Sequence, residues 1–281
     1  MLGIGFARYN DAYKKHRKLT LSIFKELGFG VQRVSETRIM QEIESMHDEL
    51  LKLNGRPFDP KWSFKFATAN VVHRVLFGKK FPEILPKLNH TIVTSAVECF
   101  SNMDLAINVA PVLRFLPVFR RKIERLRTSS ERLLNAIEKG IEFVISNKSE
   151  PTFVGRFLEI EGPNYDHQYL LFVLRDLCFG SADTVSDTLQ FAMVELANHP
   201  EIQKRLQREI DEVVPGYRFP SFDDKLRLTY TEAVILEVTR RHTIAPLCAP
   251  HASLRDTKVL QYDIPGGSKV RIDFIIVHFQ A

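Results

Sequence analysis

"CFGSADTVSDT", residues Cys178–Thr188, interrupts an otherwise apolar helical pattern with a glycine, a serine and an acid beside an alcohol. The surrounding segment, "YDHQYLLFVLRDLCFGSADTVSDTLQFAMVELANHP", is apolar on nearly every flank, so its pattern predicts one long, central, buried helix. At ~1.5 Å per residue such a helix would be ~50 Å long. Gly180 and Ser181 are poor helix formers, and a Gly/Ser pair is a place where helices kink or open. Gly180 and Thr184 share a face at i,i+4, and glycine leaves room for something flat to approach the backbone. Asp183 supplies an ionisable proton carrier, and Thr184 a hydroxyl that donates or accepts. The pair therefore suits proton delivery to a ligand held against the helix. The same residues also read as a surface aspartate and a threonine bonding back to its own helix. Both readings stand on these residues alone.

Outward from that segment, the pattern is helical in both directions. Asn10 and Asp11 are N-cap candidates for a helix ending near Gly28. "SETRIMQEIESMHDELLKLNG" puts Ile39, Ile43, Met46, Leu50 and Leu53 on one face. "DPKWSFKFATANVVHRVLFG" is opened by Asp59 and Pro60. Further helices are expected near 83–101, 118–147 and after Pro200. "SEPTFVGRFLEIEGPN" reads as a connector, and "TKVLQYDIPGGSKVRIDFIIVHF" as two strands around an Ile-Pro-Gly-Gly turn. The fold class is thus mainly α, with a small β region near the C-terminus and a single domain over 1–281.

The composition of the 281 residues is that of an ordinary globular chain, 44% hydrophobic and 26% charged. The formal net charge of +5 comes from scattered basic residues, which excludes a nucleic-acid partner. Three cysteines without paired spacing argue against a disulfide framework. No run of about 18 apolar residues is present to span a membrane, and no signal-peptide pattern is found at the N-terminus.

"EVTR" places Glu237 and Arg240 at i,i+3, where side chains meet. Most such pairs are solvated, but the flanking "AVILEV" predicts a largely buried one.

The order of these signals resembles the cytochrome P-450 family, and most closely its animal microsomal, drug-metabolising type. The resemblance is carried by "GSADT" on the long helix, "NHPEIQKRLQREIDEVV" after it, and E-x-x-R before "PLCAPHASLRDT". It runs from "YNDAYKKHRK" to "YDIPGGSKVRIDF". It implies a partial P-450 fold and a haem (heme) cofactor. Asp183 and Thr184 then match the proton-delivering pair, and Gly180 the small residue over the haem plane. Tyr13, Arg17 and His251 match propionate contacts, in keeping with arginine's preference for carboxylates. Glu237 and Arg240 match the family's structural pair. Phe179, Ala245, Cys248 and Ala249 fall where the family lines its substrate pocket. Apolar Val112, Leu113, Phe115, Leu116 and Phe119, flanked by basic residues, fit a loop that dips into a membrane surface.

Several positions depart from the family pattern. Tyr13 stands for the usual tryptophan, Gly180–Ser181 for alanine–glycine, and Val185 for a second hydroxyl residue. The haem-thiolate loop Phe-x-x-Gly-x-x-x-Cys-x-Gly has no match. Cys178–Phe179–Gly180 imitates its end, but Leu174 stands where glycine is needed and the segment is helical. No residue here is therefore expected to bind the metal. The implied parent is a monooxygenase at the cytosolic face of the endoplasmic reticulum membrane. It would act on a lipophilic small molecule with electrons from an NADPH-dependent reductase. This chain is expected to be an internal, inactive slice of it, without anchor or thiolate. The alternative is a non-catalytic helical protein that uses the same scaffold to bind a ligand or partner.

Overall fold

A computed structural model describes residues 3–5, 7–29, 32–103, 107, 110–147, 150–214, 216, 218–246, 248 and 251–270. By its internal contacts the chain divides into two compact units, Met1–Ser186 and Asp187–Ala281.

The first unit is built of helices and the turns that join them. Helix α1 (Asp11–Glu26) is opened by Asn10, whose side chain accepts from the Tyr13 N–H at 2.8 Å. Helix α2 covers Gln32–Lys52, and its expected apolar face is only half covered, with Ile39 and Leu50 exposed. Helix α3 (Lys61–Phe77) begins one residue later than expected, with Pro60 as N-cap and Asp59 accepting from the Lys61 N–H at 3.0 Å. A short α4 (Phe81–Ile84) leads into α5 (Pro86–Asn102). A 3₁₀ turn (Pro111–Phe115) then precedes the long α6 (Pro117–Ser146). Helices α5 and α6 pack along each other. Gly140 of α6 makes close approach possible, since a Cβ there would lie 2.9 Å from the Phe77 ring.

The expected connector contains a helix, α7 (Phe153–Glu161), and this corrects the sequence reading. Thr152 caps it by accepting from the Gly155 N–H at 2.9 Å, and Phe153, Val154 and Phe157 are fully buried. Pro151 lies just before the helix and Gly162 and Pro163 just after it, while Gly155 is within its first turn. Thr152→Ala should lower the stability of this unit by about 1 kcal/mol, measurable as a shift in the urea midpoint.

The expected single long helix is two. Helix α8 (His167–Ala182) ends at Asp183, whose φ of −109° and ψ of −48° break the run, and α9 (Thr184–Asn198) follows at once. Helix α8 is the central element of the first unit and packs on α3, α5 and α6. Tyr169, Leu170, Val173, Leu174 and Cys178 are all buried. The expectation of burial along the whole segment fails in α9, where Val185, Leu189, Met193 and Val194 are exposed.

In the second unit, α10 (Pro200–Val213) packs on α11 (Thr229–Arg241). Glu209 of α10 accepts from the Tyr230 and Thr231 N–H groups at 2.7 and 2.8 Å, supplying the anion that a helix N-terminus favours. The β region is two antiparallel pairs. Strand β2 (Thr257–Val259) pairs with β3 (Tyr262–Ile264), and β1 (His251–Ala252) with β4 (Lys269–Val270). The Pro-Gly-Gly turn therefore joins strands of different pairs. The hairpin turns instead at Leu260, which takes φ = 54°.

Candidate functional site

The break at Asp183 frees helical carbonyls that need donors, and the hydroxyls of this stretch supply them. Ser181 Oγ donates to the Cys178 carbonyl at 2.9 Å, Thr184 Oγ1 to Gly180 at 3.2 Å, and Ser186 Oγ to Ala182 at 2.8 Å. Such back-bonding bends or interrupts helices. The run of serine and threonine thus accounts for a helix that opens in the middle of a core.

The residues around the break face two ways. Asp183 is buried, and its carboxylate is in an ion pair with the Lys65 ammonium from α3, itself buried. Gly180 and Thr184 are exposed, and a Cβ added at Gly180 would meet nothing within 4 Å. An open, flat face beside a hydroxyl is thereby backed by a buried acid. Thr184 bonds back across the break to Gly180 of α8, close to the plainer reading, while Asp183 is no surface residue.

One turn before Gly180, the buried Asp176 carboxylate accepts from the Ile4 and Gly5 N–H groups at 2.9 and 2.8 Å. Gly3 takes φ = +99°, and a Cβ there would come within 2.3 Å of that carboxylate. Arg175 bonds Asp176 at 2.7 Å and lies 4.6 Å over the Phe172 ring. These contacts tie residues 3–5 to α8. Lys65, Arg175 and Asp176 were not singled out in the sequence; the only signal was charge inside apolar helical runs.

Tyr13 and Arg17 lie on one face of α1, Tyr13 half-buried and Arg17 exposed. The neighbouring His16 ring stacks on Tyr169 of α8 at 3.5 Å, which docks α1 against that helix. No hydrogen bond or ion pair among the described residues joins Tyr13 or Arg17 to Gly180, Asp183 or Thr184. Phe179 is buried in the core beneath Arg175, 5.7 Å from its guanidinium. The membrane candidates Val112 and Phe115 are 69% and 67% exposed, Leu116 is exposed, and Leu113 and Phe119 are half-buried.

In the second unit, Glu237 and Arg240 form a two-pronged pair with both contacts at 2.7 Å. Their side chains are 53% and 42% exposed, so the expectation of a largely buried pair is wrong. The apolar neighbours that prompted it, Ile235 and Leu236, are themselves 56% and 64% exposed. Ala245 is exposed and accepts from the Cys248 N–H at 3.0 Å, Cys248 taking φ = 52°. His251 is exposed on β1, and Ala249 lies outside the described residues.

Metal binding by cysteine requires a thiolate, which burial opposes. Burial pushes the Cys178 thiol far above its ordinary range, and the Cys99 thiol, 3.3 Å from Ser129 Oγ, upward as well. No group of three metal-ligating side chains occurs among the described residues. A cleft of about 870 Å³ in the first unit lies elsewhere, lined by Glu26, Ile145, Arg156, Glu159 and Tyr165. Its charged groups already pair with one another, Arg156 with Glu26 and Glu159.

The model of the family described as Cytochrome P450 matches residues 2–279. The chain is 32% identical to cytochrome P450 2F3 of Capra hircus over 291 residues, covering 99% of this chain and 58% of that protein. It is 32% identical to cytochrome P450 2E1 of Mesocricetus auratus over 277 residues, 92% of this chain and 54% of that one. With cytochrome P450 2B9 of Mus musculus it shares 28% identity over 283 residues, at 95% and 56% coverage. The chain spans about half the length of the curated relatives it matches. By the extent of the family match and by these identities, the chain belongs to the cytochrome P450 family.

Proposed function

We propose that this chain supplies the oxygen-side wall of a haem-dependent monooxygenase, and that the exposed Gly180–Thr184 face is where the haem lies. The observation that carries this is the empty, side-chain-free surface at Gly180, with Thr184 one turn on and an acid buried behind. The residues of the first unit fit the group on that side. Gly180 gives a flat approach, and Arg17 and Tyr13 offer a cation and a phenol suited to propionates. When bound, haem supplies the iron centre at which dioxygen is split and one oxygen atom is inserted into the substrate.

The chain's own contribution is to move protons. Thr184 Oγ1 donates to Gly180 O at 3.2 Å, a weak bond that the hydroxyl can exchange for a ligand. A hydroxyl that donates also carries lone pairs with which to accept from a water. Asp183 lies next to it in sequence as the acidic member of the proposed proton-delivering pair.

The substrate is proposed to be a lipophilic small molecule, and the electron donor an NADPH-dependent reductase. Exposed Val112, Phe115 and Leu116, with Arg114 4.9 Å over the Phe115 ring, support contact with a membrane surface. The proposed setting is the cytosolic face of the endoplasmic reticulum. No helix among the described residues is long and apolar enough to cross a membrane. The two units are proposed to be parts of one domain, a reading supported by a family match that runs through both.

Thr184→Ala tests the proposal in a longer form that carries the family's haem-ligating loop. Substrate affinity should be kept, while product formed per reducing equivalent falls on the order of tenfold and hydrogen peroxide rises to match. Full coupling of electrons to product would leave Thr184 with a helical role only.

A further inference from the structure

We infer that Lys65 is a positioning residue for the Asp183–Thr184 pair: its ammonium holds the Asp183 carboxylate on the α3 side of the helix break, turned from the face that Gly180 and Thr184 present. That the held acid bears on proton delivery rests on the function proposed above; that Lys65 holds it does not.

Lys65 lies in the first half of α3, with its side chain 3% exposed, and Asp183 sits where α8 ends, with its side chain 10% exposed. Neither charge is affordable in such surroundings alone. An unpaired buried carboxylate or ammonium gives up its charge rather than stay desolvated. Each has an opposite charge in the other, and breaking such a pair from one side leaves an uncompensated charge. The ammonium also stands at the C-terminal end of α8, where the helix dipole favours a cation. The two attractions act at one point, the junction residue itself. They place Asp183 inward while its neighbours 180 and 184 stay exposed. Helix α3, one of the helices packed on α8, therefore fixes which way the acid at the break points.

The other buried aspartates among the described residues have arginine partners, Asp176 with Arg175 and Asp224 with Arg218. That allows Asp183 to be read spectroscopically. In the chain with its aspartate side-chain carboxyls labelled with carbon-13, infrared difference spectra at neutral pH should show no protonated-carboxyl band. Lys65→Met should produce one, because the stranded Asp183 takes up a proton. The band should be absent from Lys65→Arg, which restores the cation, and from Lys65→Met/Asp183→Asn, which assigns it. A band in the unaltered chain, or none in Lys65→Met, overturns the inference. If Lys65→Met yields no folded protein, Lys65→Met/Asp183→Leu, which removes both charges of the pair, should fold; failure of that double variant also overturns it.

The consequence is read in the longer, haem-bearing form. Lys65→Met should raise the share of electrons lost to hydrogen peroxide several-fold, and Lys65→Arg should return it. An unchanged share overturns the positioning role. Failure of the unaltered protein to take up haem would instead refute the proposed function, and the infrared result would stand apart from it.

Discussion

Gly180→Leu is expected to leave the chain folded and to block haem uptake, while Gly180→Ala spares both. A Cβ added at Gly180 meets nothing within 4 Å, so alanine displaces no protein atom, and leucine extends from an exposed position. Both residues are better helix formers than glycine, and alanine should stabilise α8 by about 0.5–1 kcal/mol. Alanine adds one carbon to the open face. Leucine fills it with a branched side chain, which a flat group lying on that face has to displace. Overpacking of that kind should cost about 3 kcal/mol, on the order of a 100-fold loss of affinity. Circular dichroism melting checks the fold, and absorbance titration with haem in the form carrying the haem-ligating loop checks the binding. Undiminished uptake by Gly180→Leu would move the haem away from this face.

The same break shows how much the sequence carried. Gly180, Ser181, Asp183 and Thr184 announced an opening in a buried helix, because their propensities and side-chain hydrogen bonds are local properties. The capping at Asn10 and the start of α10 at Pro200 were legible for the same reason. What depended on partners distant in sequence was not. Lys65 in "KWSFKFATAN" looks like any solvated lysine until α3 is laid on α8, 118 residues away in sequence. The burial of Glu237 and Arg240 was misjudged because apolar neighbours measure what a helix could bury, not what covers it. Helix α7 was missed because the glycine and proline of its segment read as a connector, whereas Thr152 and Gly162 cap the helix.

A second large effect comes from a histidine that neither motif nor spacing brought out. His73 of α3 is 1% exposed, with Nδ1 2.6 Å from Asn89 Oδ1 and its ring edge-on to Phe77. The Asn89 amide donates to Asn70 at 2.8 Å, and Asn70 in turn donates to Glu42 at 2.9 Å, which leaves the Asn89 oxygen as the acceptor facing the ring. Nδ1 must then carry the hydrogen. Nε2, buried and without a partner, is a bare lone pair. Adding a proton there would create a cation in the core. Burial accordingly lowers the His73 pKa from 6.5 to about 4, against a smaller opposite pull from Asn89. Between these two values the unfolded chain binds the proton and the folded chain does not. Stability from this residue is therefore complete above about pH 6.5 and is lost as pH falls toward about 4, by about 3 kcal/mol in all. His73→Gln keeps a donor for Asn89 and has nothing to ionise. Urea unfolding of both proteins from about pH 7 down to about pH 4 should show the unaltered chain losing about 3 kcal/mol more than the variant. Parallel curves would mean that His73 is protonated in the fold, and that the Asn89 amide has turned to meet it.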